Sequence, residues 1–184
     1  MSDFAQAGLI ATLQRLNDAH LPKVVEDAER LSRDRPIALV LPCHGRGVET
    51  PALGHIIQEL SKARFLAEIV VSMNGIDAAG VVRAREMFAR LPQRVRILLN
   101  DGAEMREALG EFAAVQGKGL NVWTAVGLIA ADGGAGVIVT QDCDVSSFRS
   151  DTLARLCFPC VHPALNYALA KMYYSRVTDR LYGR

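Results

Sequence analysis

Four short apolar runs punctuate the chain: Ile37-Ala38-Leu39-Val40-Leu41, Glu68-Ile69-Val70-Val71-Ser72, Val95-Arg96-Ile97-Leu98-Leu99 and Val137-Ile138-Val139-Thr140. Runs of this length, bounded by turn residues and rich in β-branched side chains, are the mark of strands covered on both faces. The segments between them have helical character, from about Pro51 to Ala63, from Ala78 to Leu91, from Ala103 to Val115 and again after Lys118. Strand and helix alternating at this spacing predict an α/β fold with a doubly wound, mostly parallel sheet. Upstream, residues 4–33 read as helical. Leu9, Ile10, Leu13 and Leu16 form one stripe, Val24, Val25, Ala28 and Leu31 another, and Pro22 starts the second. This pattern predicts a helical arm over residues 1–35 ahead of a domain over 36–184. After the fourth run, Thr152–Cys157 reads as a short helix. Asn166–Tyr174 alternates loosely and reads as a strand.

Composition narrows the function classes. With 184 residues, half of them hydrophobic, the chain can fill one core but not two large ones. A net charge of +1 gives no reason to expect nucleic acid as the main partner. No apolar stretch approaches the ~20 residues that cross a bilayer, and the N-terminus lacks the charged-then-apolar pattern of a secretory leader. Cys43, Cys143, Cys157 and Cys160 therefore read as reduced thiols in a cytoplasmic protein. Cys157-Phe158-Pro159-Cys160 with His162 looks like half of a zinc site, but the sequence has no second C-x-x-C to complete it.

The chemistry gathers where the strands end. In open α/β sheets, ligands bind outside the carboxyl ends of the strands. There the fourth run leads into Gln141-Asp142-Cys143-Asp144. Two carboxylates one residue apart can hold Mg²⁺ or Mn²⁺ beside a phosphate, because hard cations prefer oxygen ligands. A bare D-x-D is a weak signal. Its place after a buried strand, with Gly117-Lys118-Gly119 upstream, strengthens it. Lys118 sits at a helix start, where the dipole disfavours a cation unless an anion binds there, and its flanking glycines permit close backbone approach. The stretch from Gly117 to Asp144 thus reads as the donor-phosphate end of a nucleotide-sugar site. Plainer readings stand beside it. The acidic pair could be a solvated loop capping the helix beyond Phe148. Asn74 and Asp77 suit turns for backbone reasons alone. Trp123 reads as a core residue, and His44 and Cys43 as pocket-lining groups rather than metal ligands. Arg176, Arg180 and Arg184 recur every four residues, so a helix would place them on one face. That face suits a phosphorylated acceptor, or simply solvent.

Longer stretches carry a family resemblance. LPCHGRGVETPALGHIIQEL, ILLNDG, GKGLNVW, QDCD, VHPALNYALAKMYYSRV and the terminal TDRLYGR cover nearly everything from Pro36 onward. Together they resemble the retaining GT-A glycosyltransferases that make glucosyl- or mannosyl-3-phosphoglycerate. The resemblance implies a metal-dependent transfer of a hexose from a UDP- or GDP-sugar to a small phosphorylated acceptor such as 3-phosphoglycerate. It implies that Pro42, Cys43, His44 and Glu49 lie against the nucleotide, largely through backbone groups, and that Asn74 and Asp77 contact base or ribose. Lys118 would reach the nucleotide, Asp142 the ribose or the metal, and Asp144 the metal. Arg184 would hold the acceptor phosphate, and a homodimer would fit the family. Lys118 and Asp144 would be the catalytic pair, with Mg²⁺ or Mn²⁺ as cofactor. Two departures stand out. Ser72 occupies the first acidic position of the family's D-S-x-S-x-D pattern, which leaves the base open. Family members also continue well past Arg184 and supply there a histidine that completes the metal site, so the chain reads as truncated. Two alternatives follow: a non-catalytic nucleotide-binding or assembly module, and a sugar-1-phosphate nucleotidyltransferase. The second is disfavoured because LPCHGRGVET holds only part of that class's glycine- and arginine-rich loop.

Overall fold

The structure, a computed structural model, describes residues 17–115 and 117–173 and the backbone of 176–177 and 181–182. Strands β1 (Ile37–His44), β2 (Leu66–Asn74), β3 (Arg94–Leu99) and β4 (Val137–Thr140) form one sheet in the order β3-β2-β1-β4. All neighbouring pairs are parallel, as the apolar runs predict.

Alternation along β1 divides the core in two. Ile37, Leu39, Leu41 and Cys43 face one side and Ala38 and Val40 the other. The first side is covered by α1 (Leu21–Leu31), α2 (Pro51–Leu60), α3 (Ala78–Phe88) and α6 (Ser150–Val161), which contribute Ala28, Ile56, Phe88 and Leu153 among others. The second side is covered by α5 (Lys118–Asp132), through Ala125 and Ile129. Helices on both faces make the sheet doubly wound. Each fully buried Leu, Ile or Phe stabilises the fold by roughly 1.5–3 kcal/mol, and the larger share lies on the α2 side. The remaining helix, α4 (Ala103–Leu109), buries no residue and runs into a 3₁₀ turn over Gly110–Ala114.

The elements differ from the expected ones in instructive places. β1 continues through Pro42 to His44, although proline cannot donate to a ladder. The carbonyl of Val40 accepts from Gln141 N–H, so the even positions of β1 turn their backbone toward β4. β4 has ended by the level of Pro42, so no hydrogen bond is lost there. Register with β2 carries the strand onward, Cys43 opposite Met73 and His44 opposite Asn74. α6 extends beyond the expected Thr152–Cys157 and passes through Pro159, held by the buried Leu153, Ala154, Cys157 and Val161. Of the expected helix over 4–33, α1 lies within the described residues and residues 1–16 lie outside them.

Two expectations are corrected. The described part of Asn166–Tyr174 is irregular, not a strand. Asn166 takes a φ of 43°, and Arg35 Nη1 ties its side chain and the Cys160 carbonyl down at 2.8 and 2.6 Å. These bonds bend the chain where a strand would run straight. Arg176 is also not helical. It lies in β5 (Arg176–Val177), paired antiparallel with β6 (Leu181–Tyr182), while Arg180 and Arg184 lie outside the described residues.

Candidate functional site

The two ends of the stretch from Gly117 to Asp144 meet at the carboxyl edge of the sheet. Lys118 opens α5 and Asp142 follows β4, and Lys118 Nζ stands 2.5 Å from Asp142 Oδ1. The side chains are 61% and 42% exposed. An ion pair that wet contributes about 0–1 kcal/mol, so an incoming phosphate could replace Asp142 as the lysine's partner at small cost. Asp144 is exposed beside it, while Cys143 between them turns its sulfur into the core. Burying the middle residue leaves a carboxylate on each side of it at the surface. Among the described residues no group of three His, Cys, Asp or Glu side chains could hold a metal ion. Two carboxylates still fit Mg²⁺-type ions, which keep several waters and use the substrate's phosphates as further ligands.

The loops after β1 and β2 touch backbone to backbone. A Cβ on Gly45 would lie 2.0 Å from the Gly75 carbonyl oxygen, so only glycine fits. Gly75 itself has a φ of +64°, and its N–H donates to Asp101 Oδ2 at 2.7 Å, which fastens the loop after β3 to the same point. The His44 ring packs over Gly75. Cys43 presents no thiol to this edge. Its sulfur is buried and donates to the sulfur of Cys143; that bond, burial and the nearby carboxylate of Asp144 hold the Cys43 thiol above its ordinary range. The same bond pulls Cys143 below its own, against the opposing effect of burial. Pro42 is buried in the strand. Glu49 is exposed and pairs with Arg83 at 2.9 Å. Asp77 caps α3, its Oδ1 accepting from Gly80 N–H at 2.7 Å, so here the backbone reading of an Asp in a turn applies.

Beneath these loops lies a polar network that no motif signals. Ser72, Asn100, Asn121 and Thr124 are buried together. Asn100 Nδ2 donates to Ser72 Oγ at 2.8 Å and to Asn121 Oδ1 at 2.7 Å, and Thr124 Oγ1 donates to Asn100 Oδ1 at 2.8 Å. Asn121 Nδ2 in turn donates to the Cys43 carbonyl at 3.2 Å and to Asn74 Oδ1 at 3.1 Å. The one available sign is Asn121 and Thr124 on the same face of α5 as Leu120 and Ala125, polar residues where the helix should be apolar.

Arg184 lies outside the described residues. Trp123 is not a core residue. It is 60% exposed and tilted against Phe112 with ring centroids 6.1 Å apart, because it falls on the outer face of α5, opposite Asn121 and Ala125. With Lys118, Val122 and Val126 it lines an open hollow of about 550 Å³.

No protein-family model matches the chain. Its whole length is similar, at 35% identity, to a glucosyl-3-phosphoglycerate synthase from Persephonella marina (strain DSM 14350 / EX-H1), of which it covers 47%. A glucosyl-3-phosphoglycerate synthase from Methanococcoides burtonii (strain DSM 6242 / NBRC 107633 / OCM 468 / ACE-M) is 27% identical over 84% of the chain and 40% of its own length. The chain thus spans about half the length of the curated relatives it matches. Glucosyl-3-phosphoglycerate synthase from Mycobacterium tuberculosis, solved with Mn²⁺, UDP and phosphoglyceric acid, superposes with a TM-score of 0.54 at 21% identity, over 75% of this chain and 43% of that one. Its complex with Mn²⁺, UDP and glucosyl-3-phosphoglycerate superposes with the same TM-score over 44% of that chain. The resemblance expected from the motifs is borne out, and so is the GT-A, Rossmann-like α/β fold.

Proposed function

We propose that this chain is the nucleotide-sugar-binding part of a metal-dependent glycosyltransferase that moves a hexose to a small phosphorylated acid, of the glucosyl-3-phosphoglycerate synthase type. The observation that carries the reading is the pairing of Lys118 with Asp142 at the carboxyl edge of a parallel sheet, with the exposed Asp144 two residues further on. It is joined to similarity along the whole of this chain with one protein of that name, at 35% identity over 47% of that protein.

Transfer requires the nucleoside diphosphate to leave carrying negative charge. Asp144 with Asp142 would hold Mg²⁺ or Mn²⁺, whose positive charge at the diphosphate would lower the barrier by several kcal/mol in general. Lys118 releases Asp142 and pairs with a phosphate oxygen, a point charge on a flexible stem. The start of α5 adds its N-terminal dipole in the same direction. Backbone groups from Pro42 to Glu49 and the loop Asn74–Asp77 hold the nucleoside. Pro42, Cys43 and His44 act through the main chain, Cys43 with its sulfur turned inward. The acceptor is a 3-phosphoglycerate-like acid held in part by Arg184, and the enzyme works in the cytoplasm as a homodimer. The donor domain runs over 36–184, with α1 packed onto its core.

Calorimetry with UDP and Mn²⁺ tests the site. Binding should be present and should weaken by about tenfold or more, 1.4 kcal/mol, in Asp144→Ala. Equal affinity in that variant rejects the metal assignment. Release of UDP from UDP-glucose and 3-phosphoglycerate tests turnover. The two-carboxylate set among the described residues favours a second reading, a binding module without catalysis. Binding without release of UDP selects that reading.

A further inference from the structure

The buried network determines which way round the Asn74 amide stands, because a carbonyl oxygen can only accept a hydrogen bond. The Cys43 backbone carbonyl can accept but not donate, and it faces the Asn121 side chain at 3.2 Å. The Asn121 atom there must be the nitrogen. Its oxygen then faces Asn100 at 2.7 Å, and Asn100 must donate. The same Asn121 nitrogen stands 3.1 Å from the Asn74 side chain, so Asn74 must offer it oxygen. The nitrogen of Asn74 is consequently turned away from Asn121, with both of its hydrogens free of the network. Asn74 is half-exposed where Ser72, Asn100, Asn121 and Thr124 are buried. It is the end of the chain of amides that a ligand can reach.

The sheet order places this donor two strands away from the acidic pair. Asn74 ends β2, which lies two strands from β4, and Asp142 and Asp144 follow β4. Two strand spacings are about 9–10 Å, a separation that suits a diphosphate at one end and a base at the other. We propose that Asn121, by orienting Asn74, sets base selectivity. The site takes a nucleoside diphosphate whose base offers an exocyclic keto oxygen to Asn74, and discriminates against one that offers an amino group there. This rests on the donor-site reading above. Asn121 is a positioning residue, and Asn74 is the group that meets the ligand.

The test is the ratio of UDP to CDP affinity, measured by calorimetry on the full chain with Mn²⁺. The two bases differ along the edge where uracil has a keto oxygen and cytosine an amino group. The native chain should prefer UDP by about tenfold or more, since a site built to donate is left unpaired by the wrong partner. Asn74→Asp still accepts from Asn121 and therefore keeps the network. Its added charge repels both diphosphates alike, yet it has no hydrogen to give, so the ratio should fall to about one or invert while thermal stability holds. Asn121→Asp removes the N–H groups that orient Asn74 and should collapse the ratio too. Equal affinity of the native chain for UDP and CDP, or a preference surviving in Asn74→Asp, overturns the inference while leaving the donor site standing. Binding of neither nucleotide overturns the donor-site reading, and the inference with it.

Discussion

Gly45 and Gly75 carry a constraint that the letters GRG and NG only hint at. Both sequences signal turns, but not that the two turns meet with no room for a methyl group between them. Adding a Cβ at Gly45 puts carbon 2.0 Å from a backbone oxygen and 2.8 Å from the Ile76 Cα, so backbone must move. Gly45→Ala should cost about 1–3 kcal/mol, visible in a denaturation midpoint. It should also weaken nucleotide binding, because the displaced loop carries Asn74. The sequence is more informative about charge than about contact. Lys118 and Asp142 were legible as a candidate site because a lysine at a helix start and an acidic pair at a strand end are each electrostatically unusual. Asn121 was not legible. An asparagine on a helix looks like solvent decoration until the carbonyl of Cys43, 78 positions away, is seen beside it.

At the scale of elements, the start of α6 is capped across the fold. Arg149 at its N-cap makes no side-chain cap bond, and the Ser150 N–H is taken instead by Glu59 Oε2, from the end of α2, at 3.1 Å. Glu59 also pairs with Lys62. The Lys62 ammonium, and after it the Ser150 N–H, hold the Glu59 carboxyl below its usual 4.5 despite burial. A depressed folded pKa stabilises above the unfolded value, and that stabilisation is lost as pH falls through the folded value. Glu59→Gln should therefore cost about 1 kcal/mol near neutral pH. It should also flatten the loss of stability below pH 4.5, read from denaturant midpoints down to about pH 3. An unchanged acid profile would show that Glu59 carries no pH-dependent stability. Strand ends were equally hidden: β1 runs through Pro42 only because β4 stops short of it, a fact about a neighbour 100 positions on.

For the molecule as a whole, the two faces of the sheet do different work. The α2 side holds most of the buried apolar side chains, whereas among the described residues α5 is the helix that covers the other side, and it carries Lys118 and Asn121. Leu53→Ala on the thick side should cost about 2–5 kcal/mol yet leave nucleotide affinity per folded molecule unchanged. Ala125→Leu, where a fully buried alanine lets α5 sit against the sheet, should cost about 1–3 kcal/mol and weaken binding as well, because the helix must lift. Equal effects of the two changes on affinity, by calorimetry at a temperature where both variants are folded, would refute this division.

Apolar runs, their spacing and the punctuation between them determine the parallel sheet and its helices, because burial on two faces demands continuous hydrophobic strands and crossover connections demand helices. The same logic places the acidic pair and Lys118 at the carboxyl edge of the sheet. Tertiary structure alone decided that Lys118 reaches Asp142, that Trp123 faces solvent, and that Cys43 turns inward. It also decided that four buried polar side chains orient Asn74. Each of these depends on which distant groups come within hydrogen-bonding or packing distance, and pairwise distance across the fold is the one quantity a linear pattern does not contain.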